Sequence, residues 1–448
     1  MLLTAKWVLP ISSEPIEDGA VVTGGDEIMA VGKRDDLKAA YPDEVVVDFG
    51  LGALLPGFVD LHTHLEYSVF RGACDDLGYE AWKMQLTKKS KVLTPEDWRQ
   101  SARLGALEAI RSGITTVVDT TDTGASLTAA QEAGLRGVIF CEVSGMDHSE
   151  VTETMREAAD TLERWRNESD ASRISFGIGP HSPYTVAPPL FREASRFARD
   201  NALILCTHLS GSKAEYDFVK YGSGAFATTF RDIVNWDHLL WQPTGASPVK
   251  YLEQWEVFDY GPVLAVHCIH VSSADMDILE KYDVSVAHCP GCAAKLAMGI
   301  APLAEFANRG LKIGLGTDSP ASNNTMDVFD EMRMGLLIQR AAYTTVEKLG
   351  AERFVRMATL GGAEAVGLSD KVGSLEPGKK ADIIAVDLSH SHQVPARDPY
   401  SALVYTANQD NVVFSMINGT VAYHDGAHQT LDGPEAPRLV EPIKRKLL

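Results

Sequence analysis

The sequence has 448 residues, of which 45% are hydrophobic and 23% charged, so the chain can bury a large core in water. Its 41 Lys and Arg against 61 Asp and Glu leave a formal net charge of −20, which disfavours nucleic acid and anionic membranes as partners. No run approaches the roughly 18 apolar residues of a membrane span, and no secretory signal pattern is present. We therefore expect a cytoplasmic protein whose six cysteines are reduced.

The first part of the chain, residues 1–54, favours short β-strands joined by turns. Gly24-Gly25 lies within the segment GAVVTGGDEIMAVG, where a hairpin-like turn is expected. From residue 55 onward, the pattern changes to apolar runs that alternate with longer amphipathic segments. Two such segments are PEDWRQSARLGALEAIRSG and APPLFREASRFARDN, the second with Asn201 as its predicted C-cap.

The middle of the chain contains eight apolar runs that predict strands. They lie at residues 54–62, 115–120, 137–143, 174–180, 203–208, 263–267, 284–288 and 312–318. Eight strands with helical connections indicate an α/β fold of the (β/α)8 TIM-like barrel type, since parallel pairing needs long crossovers and closure removes the sheet edges. A doubly wound sheet is the alternative, but the Gly-x-Gly-x-x-Gly loop that would favour it is absent.

After about residue 365, the chain again favours β-strands, with Pro-Gly and Asn-Gly turns. Neither end has enough apolar surface to fold alone, so we expect both to pack as one small β-sandwich. The predicted division is residues 1–54 and 366–448 for the two parts of the sandwich and residues 55–365 for the barrel.

Titratable side chains collect at the carboxyl ends of the predicted barrel strands. Barrel enzymes place their chemistry at this rim, because the loops that follow the strands converge there. Seven residues from six strands lie at or just past these ends: His62, His64, His181, His208, His267, His288 and Asp318. Burying several imidazoles beside a carboxylate is costly unless a partner offsets it, and a shared cation is such a partner.

The residue types at the rim favour a metal site. Imidazole and carboxylate ligands suit zinc, iron or manganese, and a His-rich set favours Zn²⁺ or Fe²⁺. His62 and His64 lie two residues apart in a strand, so both side chains can reach one ion. A metal-activated water is a nucleophile near neutral pH. Asp318 is placed to pass on protons, and His288 to hold the nucleophile or the developing charge.

Cys289-Pro290-Gly291-Cys292 has the spacing of a redox pair or of half a zinc knuckle. No second C-x-x-C and no thioredoxin-like setting accompany it, so buried thiols are the favoured interpretation.

Five segments resemble the amidohydrolase superfamily: PGFVDLHTHLE, PHSPYTV, THLSGSKAE, VAHCPGCAAKLAMGIAPL and GTDSPASNNTMDVFDEMR. Within it, they resemble the branch of adenosine-type deaminases, such as those of S-adenosylhomocysteine and methylthioadenosine, and of triazine chlorohydrolases. The resemblance extends over essentially the whole chain, including the EPGKKADIIAVD segment near the carboxyl end. It implies a hydrolase that acts on C–N bonds of a small-molecule substrate, and relatives commonly associate, so a homo-oligomer is expected.

The resemblance also implies roles for individual residues. One divalent ion, zinc or alternatively iron, would be held by His62, His64, His208, His267 and Asp318. Asp318 would double as proton shuttle, and His288 would orient the attacking water. His270 competes weakly with His267 for the ligand role. The bridging carboxylated lysine of two-metal members is absent from the fourth strand end, GIGPHSPY, so a single metal follows.

Two residues match substrate-binding positions of the 5′-substituted adenosine deaminases. His181 matches a substrate-contacting histidine, and Trp82 matches an aromatic residue that lies against the nucleoside. An ordinary aromatic residue of a helix core is an equally good interpretation of Trp82.

Position 211, a third substrate-binding position, departs from the deaminating relatives. They carry a glutamate three residues after the fifth-strand histidine, which protonates the substrate ring nitrogen, whereas this chain has Gly211. A general acid of this kind is typically worth about 10² to 10⁴ in rate. Glu215 follows His208 by seven residues, a helical rise of about 10 Å, and is expected to be too far away to replace it. Cys292-Ala293 also replaces the Ser-Asn that is usual in relatives.

The leading hypothesis is a metal-dependent hydrolytic deaminase of a purine-type or other N-heterocycle, with 5′-modified adenosines favoured. The alternative is displacement of another leaving group, chloride or an alkylamine, from such a ring. A third hypothesis is a catalytically impaired metal-binding protein, because Gly211 supplies no acid.

Overall fold

Two β-sheets organise the structure, a computed structural model that describes residues 1–346, 349–433 and 436–447. The middle of the chain forms an eight-stranded sheet, and the two ends form a nine-stranded sheet. The strands are β1 Leu2–Val8, β2 Ile16–Gly24, β3 Glu27–Lys33, β4 Val46–Asp48, β5 Gly52–Pro56, β6 Phe58–Thr63, β7 Ile114–Thr121, β8 Arg136–Val143, β9 Ile174–Pro180, β10 Ile204–Leu209, β11 Val263–His267, β12 Ser285–His288, β13 Ile313–Leu315, β14 Ile383–Asp387, β15 Val412–Ile417, β16 Thr420–His424 and β17 Ala427–His428.

The helices connect most of the strands of the eight-stranded sheet and flank the other. They are α1 Arg34–Ala40, α2 Tyr79–Ser90, α3 Pro95–Arg111, α4 Ala125–Ala133, α5 Val151–Glu168, α6 Pro188–Asp200, α7 Lys213–Tyr221, α8 Thr229–Ile233, α9 Pro248–Gln254, α10 Ser273–Lys281, α11 Pro290–Lys295, α12 Leu303–Asn308, α13 Pro320–Asn323, α14 Val328–Tyr343, α15 Ala351–Arg356, α16 Gly362–Ala365, α17 Pro399–Tyr405 and α18 Ala436–Leu447. Short 3-10 helices cover Leu65–Phe70, Ala225–Ala227 and Gln409–Asn411, and a π-helical turn covers Met357–Gly361. Across the described ranges, no helix combines the length and the apolar character needed to span a bilayer.

Strands β6 to β13 form the predicted barrel. They lie side by side in chain order, and every neighbouring pair is parallel. The first and last strands meet at a parallel bridge between Thr63 and Asp318. Asp318 N donates to His62 O at 2.8 Å, and His64 N donates to Asp318 O at 3.0 Å. The bridge that closes the barrel therefore lies among the candidate metal ligands.

The amphipathic segments form helices with the expected ends. Helix α3 begins after Thr94, whose hydroxyl accepts from Asp97 N at 3.3 Å, while the Asp97 carboxylate accepts from Thr94 N at 2.7 Å. This capping box satisfies backbone donors that the helix leaves unpaired. Helix α6 has Asn201 as its C-cap, which confirms the sequence prediction.

The prediction of residues 54–62 as a single barrel strand was wrong. The structure divides it into β5, which belongs to the terminal sheet, and β6, which opens the barrel. Gly57 lies at the division, where an added Cβ would meet Thr115 Cγ2 at 2.1 Å, and its amide donates to Asp382 O at 3.0 Å. Thr115 lies so close to Gly57 that a side chain would not fit at this position, where the chain passes from one sheet to the other. The division of the chain at 54/55 and 365/366 stays a prediction.

The prediction that the two chain ends pack together is confirmed. Strand β5 pairs with β1 on one side and with β14 on the other, so both ends share one mixed sheet. The described strands are hydrogen-bonded into this one sheet instead of the two sheets of a sandwich, because the β5–β14 pairing joins them edge to edge. The expected hairpin links β2 to β3 through Gly25 and Asp26.

A buried ion pair joins the barrel to the terminal sheet. Arg136 Nε donates to Asp382 Oδ2 at 2.8 Å, and Arg136 Nη2 donates to Asp382 Oδ1 at 3.1 Å. Both side chains are 2% exposed. The guanidinium also donates to Asn418 Oδ1 and Ser172 O, so four of its five N–H donors have partners, which helps the pair to tolerate burial.

We expect Asp382→Ala to lower the free energy of unfolding by about 3–5 kcal/mol, because it leaves the buried Arg136 guanidinium unpaired. Urea unfolding followed by tryptophan fluorescence measures this change. The control is Glu153→Ala, which breaks an exposed pair with Arg156 on α5 and should leave the midpoint unchanged. Equal midpoints for Asp382→Ala and the wild type would contradict a stabilising role for the ion pair.

Candidate metal centre and active site

The carboxyl ends of four barrel strands bring the predicted metal ligands to one place. His62 is in β6 and His64 directly follows it, His208 is in β10, His267 ends β11, and Asp318 follows β13. All five side chains are buried. His267 and Asp318 have left-handed backbones, with φ of 78° and 61°, a conformation that is uncommon for non-glycine residues and is concentrated at functional sites.

Backbone carbonyls orient two of the imidazole rings. His64 Nδ1 lies 2.8 Å from Thr120 O, and His208 Nδ1 lies 2.9 Å from His181 O. A carbonyl oxygen only accepts, so both rings carry their proton on Nδ1 and leave the Nε2 lone pair free. His208 Nε2 lies 3.1 Å from His62 Nε2, a close approach that a shared cation would stabilise.

The carboxylate of Asp318 faces the same point. Its Oδ1 is 3.8 Å from His62 Nε2 and 3.8 Å from His64 Nε2. The ligand atoms of His62, His64 and His208 lie within 4.8 Å of one another, as do those of His267, Cys292 and Asp318. Converging ring nitrogens with a carboxylate oxygen form a donor set that fits one divalent cation.

Burial keeps these imidazoles neutral. It lowers the pKa of His62 well below the usual value, and the neighbouring imidazoles His64 and His208 lower it further. Burial is also the main cause of the lowered pKa of His64, His208 and His267. Neutral imidazole is the form that binds metal, so the ligand set needs no deprotonation near neutral pH.

His288 lies at the end of β12 and is buried. Burial first, and then His267, lower the pKa of His288 to about 4. Within the described parts of the chain, its Nε2 has no hydrogen-bond partner. A neutral ring with a free nitrogen is suited to accept a hydrogen bond from a water or a substrate.

His270 does not join the cluster. Its Nε2 lies 2.7 Å from Met298 O, so that nitrogen is committed to a backbone carbonyl. The structure therefore brings His267, and not His270, to the other candidate ligands.

Four of the five candidate ligands border a cavity. Its lining contains His64, Tyr67, Tyr79, Trp82, Lys83, Leu86, Glu142, His181, His208, His267, Asp318 and Ser319. Trp82 Nε1 donates to Ala321 O at 2.9 Å, which fixes the indole in the wall. Trp82 and His181 thus lie where the sequence placed substrate contacts, while their roles stay predictions.

Gly211 is not among these lining residues. Its amide donates to Glu215 Oε2 at 2.9 Å, and Ser210 N donates to Glu215 Oε1 at 2.7 Å. The helical rise was a poor guide to the position of Glu215, because α7 begins only at Lys213 and the side chain folds back. Because both of its carboxylate oxygens accept hydrogen bonds from backbone amides, Glu215 stabilises the loop after His208.

An added Cβ at Gly211 would point towards the site. It would lie 2.9 Å from His267 Cδ2 and 3.3 Å from Met298 Cε. A side chain at this position would therefore start beside a candidate metal ligand, and the His267 ring would have to shift to admit it.

Sequence reasoning missed two charged residues of the cavity lining, Lys83 and Glu142. Glu142 interrupts the apolar end of the third barrel strand, the same signal that singled out the histidines. Cys292 was set aside with the C-x-x-C spacing, although its thiol lies near His267 and Asp318. Lys83 directly follows Trp82, but a helical pattern gives no sign that α2 lies over the barrel mouth.

A (β/α)8 barrel whose strand ends carry four histidines and an aspartate defines the class of metal-dependent barrel hydrolases. The family model of the amidohydrolase family matches residues 53–422. The chain belongs to the amidohydrolase family, which confirms the resemblance seen in the sequence.

Among curated relatives, a 5-methylthioadenosine/S-adenosylhomocysteine deaminase of Desulforudis audaxviator is 31% identical and covers 100% of this chain and 99% of the relative. The protein of the same name from Thermococcus onnurineus is 33% identical and covers 90% and 89%. Among solved structures, an adenosine deaminase from Xanthomonas campestris with bound zinc has a TM-score of 0.86, 26% identity and coverage of 100% and 98%. An atrazine chlorohydrolase from Arthrobacter aurescens with zinc shares the fold, with a TM-score of 0.83, 23% identity and full coverage of both chains.

We expect the protein to retain zinc after dialysis and His267→Asn to lose it. Removing a metal ligand should weaken zinc binding by more than the roughly 10–100-fold that is lost when a residue that only orients a ligand is changed. Asparagine tolerates the left-handed backbone at position 267. Inductively coupled plasma mass spectrometry measures the zinc content, and His270→Asn is the matched control that should retain it. Equal zinc in both variants would contradict the assignment of His267.

Proposed function

We propose that this protein is a metal-dependent hydrolytic deaminase of a purine-type N-heterocycle, with 5′-modified adenosines as the favoured substrates. The observation that carries the proposal is the convergence of imidazole Nε2 atoms and Asp318 Oδ1 beside the cavity. The names of the curated relatives support the substrate class.

The proposed ligand set is His62, His64, His208, His267 and Asp318. Zinc is the favoured ion, in keeping with the zinc-bound adenosine deaminase, and iron is the alternative. When bound, such an ion makes a water molecule nucleophilic at neutral pH.

The protein side chains would then handle protons and orientation. Asp318 would take a proton from the attacking water and pass it to the departing amino group. His288, neutral and with a free Nε2, would orient that water. Trp82 would lie against the substrate ring, and His181 would help to shape the cavity.

Gly211 favours a second candidate, the hydrolytic displacement of chloride or an alkylamine from an N-heterocycle. No carboxyl group of residue 211 exists to protonate the ring, and both oxygens of Glu215 are bound to backbone amides. A third candidate, a metal-holding protein without turnover, also follows from the missing acid at position 211.

We expect the zinc-loaded protein to release ammonia fastest from 5′-methylthioadenosine or S-adenosylhomocysteine. The panel includes adenosine, guanine, a pterin and atrazine, with ammonia, alkylamine and chloride all measured. Asp318→Asn is the control and should abolish release. Chloride or alkylamine release without ammonia would favour displacement, and saturable binding without any release would favour the non-catalytic candidate.

Where no other residue supplies the ring proton, we expect Gly211→Glu to deaminate 5′-methylthioadenosine about 10-fold or more faster than Gly211→Gln. The carboxyl group can protonate the ring while the amide cannot, and the two side chains impose the same displacement on His267. Steady-state kcat with zinc content determined on the same samples makes the comparison. Equal rates would show either that another residue already supplies the ring proton or that an acid at position 211 does not reach the ring.

We also propose a homo-oligomer and a cytoplasmic location. Met334 and Leu337 lie three residues apart on α14 and are both exposed, an apolar pair on one helix face that suits self-association. All six cysteines are free and buried, which suits a reducing compartment.

A further inference from the structure

Lys83 is a cation in the cavity that the proposed mechanism does not use. It lies on α2, which crosses the barrel mouth, and it lines the same cavity as His208, His267 and Asp318. Its Nζ lies 3.1 Å from His181 Nε2. Among the described residues, Lys83 forms no ion pair with a carboxylate, so its charge is not committed to a structural partner.

The hydrogen bonds of His181 fix which of its ring nitrogens carries the proton. Thr185 Oγ1 donates to Ser182 O, so its oxygen accepts from His181 Nδ1 at 2.7 Å. The proton of the ring is therefore on Nδ1, and Nε2 accepts from Lys83. Burial first, and then Lys83, lower the pKa of His181 well below its usual value, so the ring is neutral and has no further proton to offer.

Lys83 has N–H donors to offer a substrate, whereas His181 Nε2 has none. An ammonium group has three N–H donors, of which His181 accepts one, so two remain for a ligand. The cavity lacks a carboxyl group from residue 211, and no other lining residue of the cavity carries a positive charge.

We propose that Lys83 is the catalytic acid that hydrogen-bonds and protonates the ring nitrogen of the substrate, in place of the glutamate missing at position 211. This inference rests on the proposed deaminase function. As the oxygen of water adds to the amino-bearing carbon, the C=N electron pair moves to the ring nitrogen, which takes a proton from Lys83. One proton of the water reaches the amino group through Asp318, and ammonia leaves. The second proton of the water, left on the new hydroxyl, returns to Lys83 as the carbonyl forms.

The charges around Lys83 suit its loss and recovery of a proton. Burial lowers the pKa of Lys83, while Glu142, Asp318 and Asp122 oppose that shift. Burial raises the pKa of Glu142, and Asp122 raises it further. A lysine with a lowered pKa is a stronger acid than a solvated one, and negative charge on the neighbouring carboxyl groups favours its protonated form.

The test compares Lys83→Met and Lys83→Arg with Lys88→Met, an exposed lysine on the same helix. In the zinc-loaded full chain, Lys83→Met should lower kcat for 5′-methylthioadenosine by about 10²- to 10⁴-fold with unchanged zinc content. Lys83→Arg should keep KM but lose kcat, because arginine donates hydrogen bonds and does not give up its proton. Lys88→Met should match the wild type.

Two further readouts separate an acid from a structural residue. The alkaline fall of kcat with pH in the wild type should disappear in Lys83→Met, since the acid must be protonated to act. Adding Gly211→Glu to Lys83→Met should restore kcat by about 10-fold or more. A kcat for Lys83→Met within a few-fold of the wild type would overturn the proposal.

Binding distinguishes failure of this inference from failure of the proposed function. If the wild type releases no ammonia from any substrate, the proposed function fails, and calorimetry with methylthio-coformycin decides the role of Lys83. Methylthio-coformycin is the ligand in a solved structure of Helicobacter pylori aminofutalosine deaminase. Binding of this probe that is at least about 10-fold weaker in Lys83→Met, equivalent to about 1.4 kcal/mol, would support Lys83 as the ring donor. Equal affinities, or no binding by the wild type, would overturn the assignment.

Discussion

Two backbone carbonyls set the geometry on which the candidate metal centre depends. Thr120 O and His181 O accept the Nδ1 protons of His64 and His208, so each ring must turn its lone pair inwards. The carbonyls lie at the ends of β7 and β9, next to β6 and β10 in the barrel. The orientation of the ligands therefore depends on the register of the strands. A shift of one residue would turn a histidine from the barrel interior to the helix layer.

The sequence predicted the parts of the site that follow from strand position. A buried parallel strand is a continuous apolar run, and a titratable residue at its carboxyl end must face the rim, so His208, His267 and His288 could be located from their runs alone. Position along one strand does not report contacts between distant elements. Lys83 on α2, the folded-back carboxylate of Glu215 and the change of sheet at Gly57 depend on such contacts, and each was missed or misjudged.

Lys83 lines the cavity, and a side chain at position 211 would start beside His267 of the same lining. In the relatives that the sequence resembles, a carboxyl group is expected to protonate the ring nitrogen, whereas this cavity presents a lysine that is hydrogen-bonded to a neutral histidine. Glu142 keeps a carboxyl group within the same lining, so the polar groups are redistributed over α2 and β8. The chemistry of an amidohydrolase barrel can thus be altered from a helix over the mouth without moving the strand ends.

The terminal sheet has a consequence for synthesis of the chain. Strand β5 has β1 beside it from the start, but its other neighbour, β14, lies more than three hundred residues further along the chain. At about 5–20 residues per second, the open edge of β5 waits roughly 15 to 65 s on the ribosome for its partner. Unpaired edges can recruit strands from other molecules, so nascent chains can pair with one another at the open edge of β5 until β14 has been made.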